Sequence, residues 1–273
     1  MFKSIFKRPL KESVVPALAP ADADAKLNSA RGLYLGMMQK CLINTIYEDS
    51  SSWPQPDAPF DTMRRRVGGD WPSQAHSMIG QERMFNLRCL CEYAIVHDVP
   101  GDFIETGVWR GGASIMMRAV LAAYGVTDRK VWVADSFAGL PPPDAERYPH
   151  DAGDILYRAA QLAVSLEEVK RNFDLYDLLD DQVRFLKGWF KDTLHVAPIG
   201  PLAVLRLDGD LYESTMDALV ALYDKVSPGG FIIIDDFALD MCRAAVEDFR
   251  AARNVREPIQ EIDGFGVFWE RKR

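Results

Sequence analysis

Acidic residues end four short apolar segments of this sequence, and their type and placement suit them to chemistry. They are Glu105, Asp135, Asp208 and the pair Asp235 and Asp236. Each segment reads as a β-strand, and in an open α/β sheet the ligand crevice lies outside the carboxyl ends of the strands. We therefore expect all five acids to meet at one edge of one sheet. Acids at the starts of helices would explain any one of them, but not the set.

Three of these acids predict a divalent cation. Asp208, Asp235 and Asp236 would repel each other at adjacent strand ends unless a cation lay between them. A set of oxygen ligands without His or Cys is typical of Mg²⁺ and not of zinc. The alternative is a structural role, with salt bridges to Arg206 or Lys225.

A glycine turn lies beside the first acid. Residues 102–114 read as a strand, a tight turn at Gly107, Gly111 and Gly112, and the start of a helix. The spacing differs from Gly-x-Gly-x-x-Gly, which disfavours a nicotinamide or flavin. Glu105 would repel a pyrophosphate but suits a cationic ligand without phosphates, such as S-adenosylmethionine. An ordinary strand–helix turn is the alternative interpretation.

The remaining acids fit such a ligand and a methyl-transfer reaction. Asp135 ends the second strand, where an acid commonly accepts hydrogen bonds from ribose hydroxyls, and Glu105 could hold the amino-acid end. A divalent ion on a substrate hydroxyl would lower its pKa, and chelation of two hydroxyls would orient the attack. Asp208 is our first candidate for the base, and His150, in the long loop after Asp135, is the second.

From residue 102 onward strands alternate with helices, which predicts an α/β fold with a mostly parallel sheet. The fifth strand, 231–235, follows a predicted turn at 227–230, and the helix before that turn should pack through Met216, Leu219, Val220 and Tyr223. Residues 258–270 predict a terminal antiparallel hairpin with Asp-Gly at its turn.

The N-terminal third should add helices to this sheet. A helix is predicted over 27–47, with an apolar set of Leu33, Met37, Ile43 and Ile46 that Leu35 and Met38 extend. A loop is predicted over 50–60 and a second helix from Gly80. We divide the chain into a flexible basic tail (1–28), a helical cap or lid (29–100) and a core (101–273).

Composition limits the classes of function. The net charge of −8 over 273 residues argues against binding to nucleic acid. No stretch reaches the roughly 18 apolar residues of a membrane span, and no signal-peptide core follows the basic N-terminus. The cysteines form neither a ligand pattern nor a disulfide pattern, which predicts reduced thiols in a cytoplasmic protein.

Four blocks together closely resemble the macrocin O-methyltransferases, which act on deoxysugars of macrolide antibiotics and have a novobiocin-pathway relative. They are Phe-Ile-Glu-Thr-Gly-Val-Trp-Arg-Gly-Gly (103–112), Val-Ala-Asp-Ser-Phe-Ala-Gly-Leu-Pro (133–141), Leu-Arg-Leu-Asp-Gly-Asp-Leu-Tyr-Glu-Ser-Thr (205–215) and Ile-Ile-Asp-Asp-Phe (233–237). The resemblance covers about residues 78 to 270. It implies a Rossmann-like class I methyltransferase sheet, helices over the site, S-adenosylmethionine and Mg²⁺ as cofactors, and a homo-oligomer.

The resemblance also implies roles for particular residues. Asp208, Asp235 and Asp236 resemble the metal ligands, and Asp208 is also the proposed base. The implied cofactor contacts are Met78, Ile79, Glu105, Thr106, Gly107, Ser114, Asp135, Ser136, Gly188, Trp189 and Asp208. Core packing is the alternative role for Met78, Ile79 and Trp189. Acceptor specificity is expected in the loop 141–165.

The sequence therefore predicts a methyltransferase that uses S-adenosylmethionine and Mg²⁺ on a sugar hydroxyl of a small glycosylated natural product. A catechol-type methyltransferase is the nearest alternative, because an aromatic diol also chelates Mg²⁺. A nicotinamide-dependent sugar oxidoreductase is disfavoured by the glycine spacing and by the lack of a Tyr-x-x-x-Lys pair. A binding module without catalysis would leave the acidic cluster unexplained.

Overall fold

The computed structural model describes residues 29–53 and 55–272, so the predicted tail 1–28 lies outside the described residues. The helices are α1 (Ala30–Leu42), α2 (Thr62–Arg66), α3 (Gly80–Val96), α4 (Gly112–Tyr124), α5 (Leu166–Asp174), α6 (Phe190–Thr193), α7 (Tyr212–Leu222) and α8 (Asp240–Ala252). The strands are β1 (Ser51–Trp53), β2 (Trp71–Pro72), β3 (Asp102–Thr106), β4 (Val131–Asp135), β5 (Val183–Lys187), β6 (Leu202–Leu207), β7 (Val226–Ile234), β8 (Gln260–Glu261) and β9 (Val267–Glu270).

The main sheet has the strand order β5-β4-β3-β6-β7-β9-β8. The strands from β5 to β7 are parallel, whereas β9 runs antiparallel to β7 and pairs with β8. Helices connect the parallel strands, as a parallel sheet requires. The predicted α/β sheet with an antiparallel C-terminal hairpin is therefore confirmed.

Helices cover the sheet on both faces. Successive residues of a strand point to opposite faces, so Phe103 packs with α3, α4 and α5 while Ile104 packs with α7 and α8. On β7, Phe231 and Ile232 divide in the same way. This double burial explains the nearly unbroken apolar strands, and it places the strand ends, not the sheet faces, in contact with a cavity.

Two details of the core differ from the sequence prediction. Residues 227–230 do not form a turn before a separate strand. Both Val226 and Phe231 pair with β6, through Leu202 and Val204, so the four residues between them are an irregularity within β7. Val220 is 67 % exposed and does not join the core face of α7. The buried face of α7 instead contains Ala218, Leu219 and Leu222.

Helix α1 and the residue after it bury only part of the predicted apolar set, namely Leu35, Met38 and Ile43. Leu33 and Met37 are 64 % and 54 % exposed, whereas Leu35, Met38 and Leu42 are buried. The buried stripe also contains Gln39, whose side-chain amide donates to the carbonyl of Gln81 at 3.0 Å. Because one position of the buried stripe is polar, the spacing of apolar residues alone does not reveal the helical period of that stripe. The helix also ends at Leu42, earlier than predicted.

The predicted loop 50–60 contains a strand. Ser51–Trp53 pairs antiparallel with Trp71–Pro72 and forms a small two-stranded ribbon. No helix in the described ranges is both long enough and apolar enough to cross a membrane.

Candidate active site

A cavity lies at the carboxyl ends of β3, β4, β6 and β7, where the sequence predicted that the acids would meet. The predicted site residues that line it are Met78, Ile79, Glu105, Gly107, Asp135, Ser136, Gly188, Trp189, Asp208, Asp235 and Asp236. Adjacent parallel strands end at the same edge, which explains how residues so distant in sequence meet. The convergence of the five acids is therefore observed.

Three predicted residues lie outside the cavity lining. Ser114 is buried behind it and hydrogen-bonds Glu105, and Thr106 is buried with an Oγ1 that has no hydrogen-bond partner in the described part of the chain. His150 is exposed, and its ring stacks on Tyr212 at a centroid distance of 5.1 Å. His150 does not line the cavity, and its role as a base stays a prediction.

Gly107 lets β3 and β6 approach each other at the cavity floor. Its φ is +81°, and a Cβ at this position would overlap the carbonyl oxygen of Asp208. Backbone hydrogen bonds hold this edge of the sheet: Gly107 donates to Ala134 of β4, and Asp208 donates to Thr106 of β3, both at 2.9 Å. Glycine is needed here for steric room as well as for the turn.

Asp135 organises the glycine turn from the neighbouring strand. Its carboxylate accepts from the backbone amides of Val108 and Phe137, each at 2.7 Å. Burial nevertheless raises the pKa of Asp135, and these hydrogen bonds oppose the rise. Ser136 donates to the carbonyl of Gly139 at 2.7 Å. Since each carboxylate oxygen has two acceptor sites, Asp135 can still receive hydroxyl groups from a ligand.

Arg206 links three of the acids below the cavity. Its buried guanidinium pairs with Glu105 at 2.6 Å, with Asp208 at 2.8 Å and with Asp235. Burial raises the pKa of Glu105 to about 7, although Arg206 opposes the rise. The salt bridge to Arg206, weighed above as the structural alternative, is therefore present.

Asp235 is also held by helix α3. Arg83, on α3, pairs with Asp235 and with Asp263 at 2.9 Å, so both oxygens of Asp235 face guanidinium groups. Two buried guanidinium groups neutralise this carboxylate without a metal ion.

A different set of carboxylates is arranged like a metal site. Oxygen atoms of Asp208, Asp210 and Asp236 lie within 4.8 Å of one another. We call these three residues the acidic triad. Burial, followed by repulsion from neighbouring carboxylates, raises the pKa values of Asp210 and Asp236 well above the ordinary range. Such an oxygen-only set fits a hard divalent cation, which would relieve that repulsion.

The sequence analysis did not single out Asp210. It lies two residues after Asp208 in Leu-Asp-Gly-Asp, and its φ of +55° turns the chain so that both carboxylates face Asp236. The Asp-x-Asp spacing was a signal for it. Asp235 could not be separated from the triad by sequence, because its partner Arg83 lies far away in the chain.

The segment His76–Ile79, part of the predicted cap or lid and called the lid segment below, is attached to the glycine turn through the backbone. Gly112, the first residue of α4, donates its amide to the carbonyl of His76 at 2.9 Å, and a Cβ there would overlap that oxygen. The lid segment His76–Ile79 lines the cavity, and the His76 ring lies 2.8 Å from the hydroxyl of Tyr176.

The loop 141–165 is tied to α7 on the opposite side of the cavity. Asp151 is fully buried and accepts from the backbone amides of Tyr212 and Glu213 at 2.6 and 3.1 Å, which caps that helix. Leu156 and Leu162 of the loop line the cavity. The expectation that this loop decides the acceptor stays a prediction.

Comparison with known proteins gives consistent matches along the described chain. The sequence model of the family described as Macrocin-O-methyltransferase (TylF) matches residues 31–271. An 8-demethyl-8-(2,3-dimethoxy-α-L-rhamnosyl)-tetracenomycin-C 4'-O-methyltransferase of Streptomyces olivaceus is 56 % identical over 242 residues, 88 % of this chain and 93 % of the relative. A demethyldecarbamoylnovobiocin O-methyltransferase of Streptomyces niveus is 51 % identical over 94 % of this chain and its own full length.

Solved structures agree with these matches. The structure of the O-methyltransferase NovP is 51 % identical, with a TM-score of 0.86 over 89 % of this chain and 100 % of that one. A crystal structure of the calicheamicin methyltransferase CalS11 is 17 % identical with a TM-score of 0.55, over 89 % and 93 % of the two chains. The second likeness shows a common fold.

Proposed function

Because the chain belongs to the macrocin-O-methyltransferase family, we propose that it transfers the methyl group of S-adenosylmethionine to a sugar hydroxyl of a glycosylated natural product, with Mg²⁺ at the acidic triad. The chain is an O-methyltransferase, as are the relatives it matches. The observation that carries the proposal is one cavity that holds both the glycine turn and the acidic triad.

The methyl donor fits the part of the cavity at β3 and β4. Asp135 and Ser136 stand where ribose hydroxyls would bind, and Gly107 leaves room for a ligand against the backbone. Glu105 would hold the ammonium group, because Arg206 and Ser114 fix its carboxylate in one orientation. Trp189, after β5, offers a ring for the adenine.

The acidic triad fits the acceptor end. A divalent ion bound there would supply Lewis-acid stabilisation of the acceptor oxygen as its proton leaves. The hydroxyl oxygen forms its bond to the methyl carbon as the carbon–sulfur bond breaks, and the proton passes to a carboxylate. We assign this proton to Asp210, since Asp208 already holds Arg206 with one oxygen. This replaces the first assignment of the base to Asp208.

Calorimetric titration with S-adenosylmethionine, with and without Mg²⁺ and with NAD as the control, tests the cofactor. An acceptor panel then tests the substrate class. The rhamnosyl acceptor named for the S. olivaceus relative should be methylated, and simple catechol should not. Binding of NAD in place of the methyl donor would refute the proposal. Transfer to catechol alone would favour the catechol-type alternative.

We also propose a homo-oligomer in the cytoplasm. The exposed apolar side chains of Leu33 and Met37 on α1 support association with a second copy, because such groups are costly to leave in water. The four cysteines carry no disulfide, as reduced thiols would. Light scattering after size-exclusion chromatography measures the state, and a monomeric mass would contradict the oligomer.

A further inference from the structure

Two stacked tryptophans form part of the cavity wall. The rings of Trp53 on β1 and Trp71 on β2 lie 4.7 Å apart between centroids at an interplanar angle of 27°. Both side chains are partly exposed, and both line the cavity. Neither belongs to the two apolar clusters that pack on the sheet. Packing of the core therefore does not explain them.

A buried ionic network holds the β1–β2 ribbon in place. Arg65 is fully buried and pairs with Asp70 at 3.0 Å and with Asp49 at 2.7 Å. The other oxygen of Asp49 accepts from the amides of Gln74 and Ala75, just after β2. Such a network contributes little net stability compared with apolar packing, but it fixes geometry. The tryptophans are therefore presented on a rigid base, as a preorganised binding surface requires.

Contacts connect the ribbon, and the segment just before β2, to both functional ends of the cavity. On one side Arg110, from the glycine turn, donates to the carbonyls of Pro72 at 3.1 Å and Ala75 at 2.9 Å. On the other side Gly68 packs so closely on Arg83 that a Cβ would overlap its guanidinium. Arg83 in turn pairs with Asp235, next to Asp236 of the acidic triad. The ribbon is therefore connected to both the glycine turn and the segment that carries the triad, in the cavity that an acceptor must enter.

We propose that the Trp53–Trp71 pair is the acceptor platform, on which the sugar ring that carries the reacting hydroxyl stacks. This inference rests on the proposed function and adds a specificity site to it. A sugar ring exposes C–H groups on one face, and the electron-rich face of an indole attracts such positive edges. The platform lines the same cavity as the triad, and we place the reacting hydroxyl at the triad, so the sugar that carries this hydroxyl is the part assigned to the platform.

Substitution of either ring tests the platform. Trp71→Leu and Trp53→Leu should each raise the KM for the rhamnosyl acceptor roughly tenfold, the loss expected for one aromatic contact. The affinity for S-adenosylmethionine should stay within about twofold. Trp71→Phe should raise the KM for the acceptor by less, because phenylalanine keeps an aromatic face. Trp132→Phe is the matched control: this tryptophan lies on β4 outside the cavity lining and donates to Asp102 at 2.9 Å.

Fluorescence gives a readout that does not depend on turnover. The rhamnosyl acceptor should quench tryptophan emission in the wild type and in Trp132→Phe, and the quench should fall in Trp71→Phe and Trp53→Phe. An unchanged KM and quench in folded variants that still bind the methyl donor would overturn the platform. A Trp71-dependent quench by 8-demethyl-tetracenomycin C, which lacks the rhamnosyl group, would overturn the assignment to the sugar. Failure of the wild type to bind the methyl donor would instead refute the proposed function.

Discussion

At the scale of single residues, the role of each acid depends on whether its carboxylate faces an arginine or another carboxylate. Asp235 lies against Arg83 and Arg206, whereas Asp210 and Asp236 face other carboxylates. Neighbouring residues in the sequence, Asp235 and Asp236, therefore have different electrostatic environments. Asp235 acts as a counter-ion for buried arginines, whereas Asp236 belongs to the acidic triad, for which we propose a metal ion.

Asparagine substitutions separate these two roles. Asp210→Asn should lower kcat about 100-fold or more and weaken Mg²⁺ binding, with little loss of stability because it removes a repelled charge. Asp235→Asn should instead cost about 3 kcal/mol of unfolding free energy, because it leaves two buried arginines short of a counter-ion. Chemical denaturation and calorimetric Mg²⁺ titration measure the two effects. Equal loss of metal binding in both variants would return Asp235 to the ligand set.

Gly107 should tolerate no side chain. Gly107→Ala should lower stability by more than about 4 kcal/mol or prevent folding, since the Cβ would overlap the backbone of Asp208. Gly125→Ala is the control: its φ of +67° is also positive, but a Cβ there meets nothing within 4 Å. It should cost only about 1–2 kcal/mol of backbone strain. Similar melting temperatures for the two variants would contradict the steric argument.

At the scale of elements, α3 joins the lid to the sheet. Arg83 in its first turns contacts the end of β7 through Asp235 and the β8–β9 turn through Asp263. The lid segment His76–Ile79, which directly precedes α3, is bound to the glycine turn through Gly112. The cap helices are therefore part of the cavity structure and not a separate layer over it.

Removal of Arg83 should loosen this connection. Arg83→Met should cost about 3 kcal/mol, weaken binding of S-adenosylmethionine and speed amide exchange in residues 67–80. Arg66→Met is a matched control, because Arg66 is half exposed and pairs with Glu82 at the surface. It should change stability by less than about 0.5 kcal/mol. Exchange rates in 67–80 that match the wild type would show that Arg83 does not hold the lid.

At the scale of the whole molecule, a net charge of −8 is concentrated in part around one cavity, so stability should depend on pH. Asp217 on α7 lines that cavity, and burial, followed by repulsion from Glu213, raises its pKa from 3.8 to about 6. The folded state therefore holds its proton more tightly than the unfolded state does. The resulting stability is present below pH 3.8 and is lost as pH rises through about 6.

Asp217→Asn removes this dependence. Relative to the wild type, the variant should gain stability as pH rises from about 4 to 7, by under about 1 kcal/mol because the half-buried group is screened by solvent. Melting temperatures across that range measure the difference. Asp128→Asn, at an exposed carboxylate, controls for the loss of one charge. A constant difference between Asp217→Asn and the wild type would contradict the raised pKa.

The sheet, and the edge at which the site lies, follow from local patterns of the sequence. Strand period, helix alternation and the glycine turn are local patterns, and parallel topology carries Glu105, Asp135 and Asp208 to one edge whatever the surrounding side chains are. The family resemblance and its class of reaction followed from those same segments, because they contain the residues that face the cavity.

Contacts in the folded chain decide which acids pair with arginine, which face of α1 is buried and where Trp53 and Trp71 lie. Each depends on a contact between distant segments: Arg83 meets Asp235, Gln39 meets the carbonyl of Gln81, and β1 pairs with β2. The energy of a charge or a polar group depends on its nearest partner in space. Residue types and their spacing along the chain do not show which groups become nearest partners in the folded protein.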